Sequence, residues 1–61
     1  MPTFSVIIPV LNEADHITTC VHAVRRLDPA VEVIVADGGS HDETPALARV
    51  AGARVVLAPR G

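Results

Sequence analysis

Lysine, tryptophan and tyrosine are absent from this chain of 61 residues, and cysteine, methionine and phenylalanine occur once each. The single cysteine, Cys20, excludes an intramolecular disulfide and leaves a zinc knuckle without its thiols. The five basic residues are all arginines that form no patch, and the formal net charge is −2, so no nucleic-acid partner is expected. The longest apolar run, residues 6–11, is six residues long, contains a proline and follows no basic segment. Neither a membrane span nor a signal peptide is therefore expected. The lone aromatic, Phe4, is little for a domain that must build its own core. A chain this short makes one small domain at most and buries only about 60% of the surface it exposes when unfolded. What is present argues against disorder: the hydrophobic fraction is 49%, charged residues make up 20%, and mean hydropathy is +0.40. These features describe a reduced, cytoplasm-type α/β protein.

Apolar runs alternate with helical patterns. Residues 4–10, 31–36 and 54–58 are rich in β-branched residues, and the first is nearly continuous in its apolarity, as in a strand buried on both faces. Between the first two runs, Ile17, Cys20, Val21, Val24 and Leu27 form one helical stripe. Asn12 is the predicted N-cap, with Glu13 and Asp15 in the first turn, where negative charge suits the helix dipole. Arg25 and Arg26 fall in the last turn, before Asp28-Pro29 stops the helix. A second helix is predicted over residues 43–51, capped by Asp42, with Pro45 in its first turn. Leu47, Val50 and Ala51 are predicted to face inward, and Gly52 to take the C′ position. The pattern is β-α-β-α-β, which implies three parallel strands in spatial order 3-2-1. Such a unit is half of a doubly wound sheet, whose ligands bind beyond the carboxyl ends of the strands.

Two loops follow those carboxyl ends, residues 9–13 and 36–44. The first has no glycine, and no lysine exists to complete a Walker A motif, so dinucleotide-fold and P-loop readings are set aside. A receiver-like signalling domain fails as well, because strand 1 ends in Pro9 and lysine is absent. Asp37 ends strand 2, where a carboxylate either accepts hydrogen bonds from a nucleoside or caps its own Gly38-Gly39 turn. The two glycines permit conformations and close approach that a β-carbon hinders. Glu13 is either a dipole partner of the first helix or a ligand contact. His16 and Cys20 stand at metal-binding i, i+4 spacing, but Cys20 lies on the apolar stripe and reads as a buried thiol. His22 and His41 read as solvent-facing, with His41 at the rim of the second loop. No nucleophile–base pair is evident, and Arg60 reads as a solvated end.

Ser5-Val6-Ile7-Ile8-Pro9-Val10-Leu11-Asn12-Glu13, followed by Val35-Ala36-Asp37-Gly38-Gly39-Ser40-His41-Asp42-Glu43-Thr44, resembles the opening of a family 2 glycosyltransferase. Residues 52–56 and 58–61 resemble the third strand and following turn of a bacterial branch of that family. The resemblance covers essentially the whole chain. It implies a Rossmann-like GT-A fold, in which residues 1–61 are the N-terminal nucleotide-binding portion of an incomplete domain. The activity implied is transfer of a sugar from a nucleotide-sugar donor to an acceptor hydroxyl.

Carried over by position, Pro9 and Leu11 would line the base pocket, Glu13 would reach the ribose or base, and Asp37 would hydrogen-bond the base. Leu11 stands where the family often has an aromatic residue, so stacking becomes apolar contact. The family's Asp-x-Asp motif, which holds a divalent metal (Mg or Mn), and its acceptor-side base have no counterpart here. Asp42 and Glu43 are adjacent acids, but they open a helix. The chain alone is therefore expected to bind no metal and to transfer no sugar. The alternative is a non-catalytic βαβαβ nucleotide-binding or assembly module. Self-association is expected, because strand 1 reads as a central strand yet becomes an edge in the order 3-2-1; a folded monomer would favour the binding module.

Overall fold

The computed structural model describes residues 4–58. Pro59, Arg60 and Gly61, which include the predicted turn after the third strand and the predicted solvated end, lie outside the described residues. The element order is β1 (Ser5–Val10), α1 (Ile17–Leu27), β2 (Glu32–Asp37), α2 (Thr44–Val50) and β3 (Arg54–Leu57). The strands form one parallel sheet in the order β1-β2-β3, as the alternating pattern predicts. Ser5 pairs with Glu32 and Val10 with Asp37; Ile34 pairs with Arg54 and Asp37 with Leu57.

That register sorts the side chains into two faces. Val6, Ile8 and Val10 of β1 share a face with Val33, Val35 and Asp37 of β2 and with Val55 of β3. Both helices pack on this face. The buried core is Ile17 and Val21 of α1, Val33 and Val35 of β2, Ala48 of α2, and Val31 and Ala53. The Cα extents of 31 × 23 × 13 Å fit two layers, because a third would need about 10 Å more along the short axis. Ser5, Ile7, Pro9, Ile34, Ala36, Arg54 and Val56 lie on the opposite face, which no element among the described residues covers. The expectation that β1 is buried on both faces is therefore corrected: Ile7 is exposed because the second covering layer is absent from these residues. Phe4, 68% exposed, contributes nothing to the core.

Pro9 is placed where it costs no ladder bond. The carbonyls of Phe4 and Val10 accept N–H groups from Glu32 at the start of β2 (3.0 Å) and from Gly38 just after its end (2.9 Å). By alternation, the position of Pro9 faces the free edge, where its missing N–H has no partner to lose.

α1 begins later than predicted. The Glu13 carbonyl accepts the N–H groups of His16 (2.9 Å) and Ile17 (2.8 Å), and His16 rather than Asn12 is the N-cap. Asn12 is taken out of the helix by its left-handed backbone (φ 52°), a conformation that Asn tolerates better than most residues. Consequently Asp15 and Glu13 precede the first turn, whereas Arg25 and Arg26 do occupy the last. The apolar stripe is also narrower. Ile17 and Val21 are buried and Val24 half-buried, but Cys20 is exposed on the flank and Leu27 is 87% exposed at the end of the helix. Asp28 then takes the extended backbone required before proline, and its Oδ1 accepts the Ala30 N–H at 3.0 Å.

α2 starts at Thr44. Glu43, not the predicted Asp42, is its N-cap; Asp42 stands one residue earlier, where its Oδ1 accepts the Thr44 N–H at 2.9 Å, because the helix begins one residue later than predicted. Ala48, not Val50, is the buried position; Val50 is 86% exposed because a seven-residue helix over a three-stranded sheet presents only a narrow face. The helix ends in a Schellman motif. The Ala53 N–H reaches the Ala48 carbonyl and the Gly52 N–H the Arg49 carbonyl, both at 3.0 Å, with Gly52 at φ 103°.

Candidate functional site

The carboxyl ends of β1 and β2 place the two loops side by side, and a set of side-chain oxygens fastens one to the other. Three consecutive backbone N–H groups of the first loop each have an acceptor in the second. Asn12 donates to Ser40 Oγ at 2.8 Å, Glu13 to Thr44 Oγ1 at 2.8 Å and Ala14 to Asp42 Oδ2 at 3.3 Å. In return the His41 N–H donates to Asn12 Oδ1 at 2.8 Å. Thr44 is fully buried, and its hydroxyl proton goes to Asp42 Oδ1.

Asp37 organises the second loop from below. Its Oδ2 accepts the N–H groups of Gly39 (3.1 Å) and Ser40 (2.9 Å), and its Oδ1 accepts the Ser40 hydroxyl at 2.5 Å. Only 5% of Asp37 is exposed. A carboxylate has about four lone-pair positions, so three are used within the turn and one remains, on Oδ1. These bonds favour the charged form. The Ser40 hydroxyl and amide hold the Asp37 pKa below the ordinary 3.8, against partial desolvation and the nearby Asp42 charge. Asp42 is likewise held low, by the Thr44 hydroxyl and amide. Gly39, at φ 100°, needs to be glycine. A β-carbon on Gly38 would meet the Val10 carbonyl at 3.5 Å and Leu11 Cδ1 at 3.9 Å, which are ordinary contacts, so close approach does not demand glycine there.

Beside β1 and α1 lies a cleft of about 490 Å3 lined by Pro9, Val10, Leu11, Glu13, His16, Ile17 and Cys20. It brings together Pro9, Leu11 and Glu13, three of the four residues expected at a donor site. The fourth, Asp37, lines a separate cavity of about 260 Å3 with Pro45, Arg49, Val55, Val56 and Leu57. Sequence reasoning missed His16 and Cys20 as cleft residues. A signal existed, since their i, i+4 spacing brings them together at the start of α1, but Cys20 reads as core. It also missed Arg49, which no motif marks. His22 and His41 are exposed, as expected.

Among the described residues, no group of three His, Cys, Asp or Glu side chains comes together to hold a metal ion. The adjacent acids do not fit one either, because Asp42 is committed to Thr44 and Ala14. No step through a metal is therefore derived for this chain. Among the same residues, no helix is long and apolar enough to cross a membrane.

A parallel βαβαβ sheet with paired loops at its strand carboxyl ends belongs to the Rossmann-like α/β class. Residues 5–61 match the model of glycosyl transferase family 2, and the chain belongs to that family. Glycosyltransferase AglE of Haloferax volcanii is 46% identical over 52 residues, which cover 80% of this chain and 17% of AglE. A crystal structure of a mycobacterial protein superposes with TM-score 0.81 at 43% identity, over 92% of this chain and 19% of the other. Glucosyl-3-phosphoglycerate synthase from Mycobacterium tuberculosis, in complex with Mn2+, UDP and glucosyl-3-phosphoglycerate, gives TM-score 0.80 at 41% identity, over 92% of this chain and 21% of the enzyme. Another structure of that enzyme holds Mn2+, UDP-glucose and glycerol 3-phosphate. The chain thus spans about a fifth of the length of these relatives. The structural neighbours carry the GT-A fold, and the expected α/β architecture agrees with them.

Proposed function

We propose that this chain carries the donor-nucleotide-binding portion of a GT-A domain whose whole protein transfers a sugar from a nucleotide-sugar to an acceptor hydroxyl. The observation that carries the proposal is the fastened loop pair at the carboxyl ends of β1 and β2, bordering a cleft with Pro9, Leu11 and Glu13 in its wall. Pro9 and Leu11 offer apolar surface to a base, and the exposed Glu13 offers acceptors to ribose hydroxyls. Asp37 offers one remaining acceptor position on Oδ1 to a base N–H. The UDP and UDP-glucose complexes of a family-like neighbour support this assignment.

A divalent metal would serve the whole protein through residues outside those described, and the chain alone transfers no sugar. A cytoplasmic location is part of the same proposal, in keeping with an exposed, unpaired Cys20. Self-association follows from the uncovered sheet face, with Ile7 and Val56 exposed on it. Titrating UDP into the 15N-labelled chain tests the donor site. Shifts are expected at Leu11, Glu13 and residues 37–40. No shift at about millimolar UDP, roughly the −4 kcal/mol limit of useful affinity, would refute the assignment, as would shifts confined elsewhere.

A further inference from the structure

We propose that Thr44, Ser40 and Asp42 are positioning residues for the cleft beside β1, fixing the direction in which Glu13 enters it; this rests on the donor-nucleotide proposal above. Both peptide groups flanking the Glu13 Cα are held. Its N–H is taken by Thr44 Oγ1 at 2.8 Å, and its carbonyl accepts the His16 and Ile17 N–H groups that open α1. With the two peptide planes fixed, the Cα–Cβ direction is fixed too, and the side chain is delivered to the cleft wall. The partners on either side of Glu13 are held in the same way, Asn12 by Ser40 and Ala14 by Asp42.

Thr44 is central among the three. It is fully buried, so water does not compete for its hydroxyl, which accepts from Glu13 while donating to Asp42. The left-handed Asn12 is braced from the opposite direction by the His41 N–H. A loop held in one conformation before the ligand arrives binds without the cost of ordering itself. Thr44 and Asp42 therefore act on affinity through residues 13 and 14, whereas Ser40 holds both Asn12 and Asp37.

The test compares Thr44→Val, which keeps the shape and removes the hydroxyl, with Thr44→Ser, which keeps the hydroxyl. Amide hydrogen exchange and UDP titration are followed by NMR on the 61-residue chain. Thr44→Val should speed exchange of the Glu13 amide and weaken UDP binding, each by about tenfold, the effect of one lost buried hydrogen bond. Thr44→Ser should restore both to within about twofold of the original chain. Ser40→Ala, at a half-buried loop position, should speed exchange at Asn12 and weaken UDP in the same direction, but its hydroxyl also holds Asp37, so Thr44→Ala, which removes only the hydroxyl and methyl at Thr44, carries the test if Thr44→Val does not fold. UDP affinity unchanged in Thr44→Val, Thr44→Ala or Ser40→Ala would overturn the proposal while leaving the donor site standing. Failure of the unaltered chain to bind UDP would overturn the donor site and this proposal together.

Discussion

Removing the Asp37 carboxylate should damage the fold before it damages any ligand contact. In Asp37→Ala, the Gly39 and Ser40 amides and the Ser40 hydroxyl lose their acceptor together. A hydrogen bond to a charged group contributes about 1.5–3 kcal/mol, but Gly39 and Ser40 are only half-buried and water recovers part of the loss. A net cost of about 2–4 kcal/mol follows. A 61-residue domain has about 3–9 kcal/mol of stability in all, so this change approaches the limit of what it tolerates. Asp37→Asn is milder. Its amide oxygen can serve the two N–H groups, and its NH2 can donate to Ser40 Oγ, which has two lone pairs and already accepts the Asn12 N–H. The remaining loss is the charge, about 1 kcal/mol. Urea denaturation followed by circular dichroism resolves these values, since a slope of about 1 kcal/mol per molar turns them into midpoint shifts of roughly 1 M for Asn and 2–4 M for Ala. An Asp37→Ala midpoint within about 0.5 M of the original would refute the claim that this side chain holds the turn.

Acid should destabilise the chain through the same groups. Asp37 and Asp42 have folded pKa values below 3.8, so their stabilisation is complete above that value and is lost as pH falls through the folded values; a urea midpoint that stays flat between about pH 5 and pH 2.5 would contradict this. Light scattering over a concentration series should give a mass above the 6.4 kDa of one chain, and Ile7→Lys, which charges the uncovered face and free edge, should weaken the association about 10- to 100-fold. A folded monomer at high micromolar concentration would count against self-association.

The strands were legible because β-branched runs of this kind have few alternatives, and the sheet order followed from short connections between parallel strands. Periodicity located the helices but not the width of their buried faces. Cys20, Leu27 and Val50 satisfy the pattern and still face outward, because two short helices on one face of three strands bury little more than Ile17, Val21 and Ala48. The Asn12 cap was misplaced for a different reason. Asn is a good N-cap by type, but its side chain is engaged 29 positions away by the His41 amide, and local rules do not see such a partner. Of the candidate site, Pro9, Leu11 and Glu13 were legible as one cluster, since they follow the same strand. Asp37 was not separable from them by sequence, because whether a residue at a strand end opens to one cavity or another depends on how helices pack across the sheet.

The two sequence motifs are best understood as halves of one clasp. Asp37 shapes its own turn, and the alternate positions Ser40, Asp42 and Thr44 then present oxygens to three successive amides of the other loop. Each of those amides lies near a strand end, where the β1 ladder has stopped and α1 has not begun, and so has no ladder or helix partner. The short polar residues of the second loop are thus the hydrogen-bond partners that the first loop lacks. It follows that a substitution in residues 40–44 should be read at residues 12–14, where the cleft wall begins, before it is read in the helix that contains it.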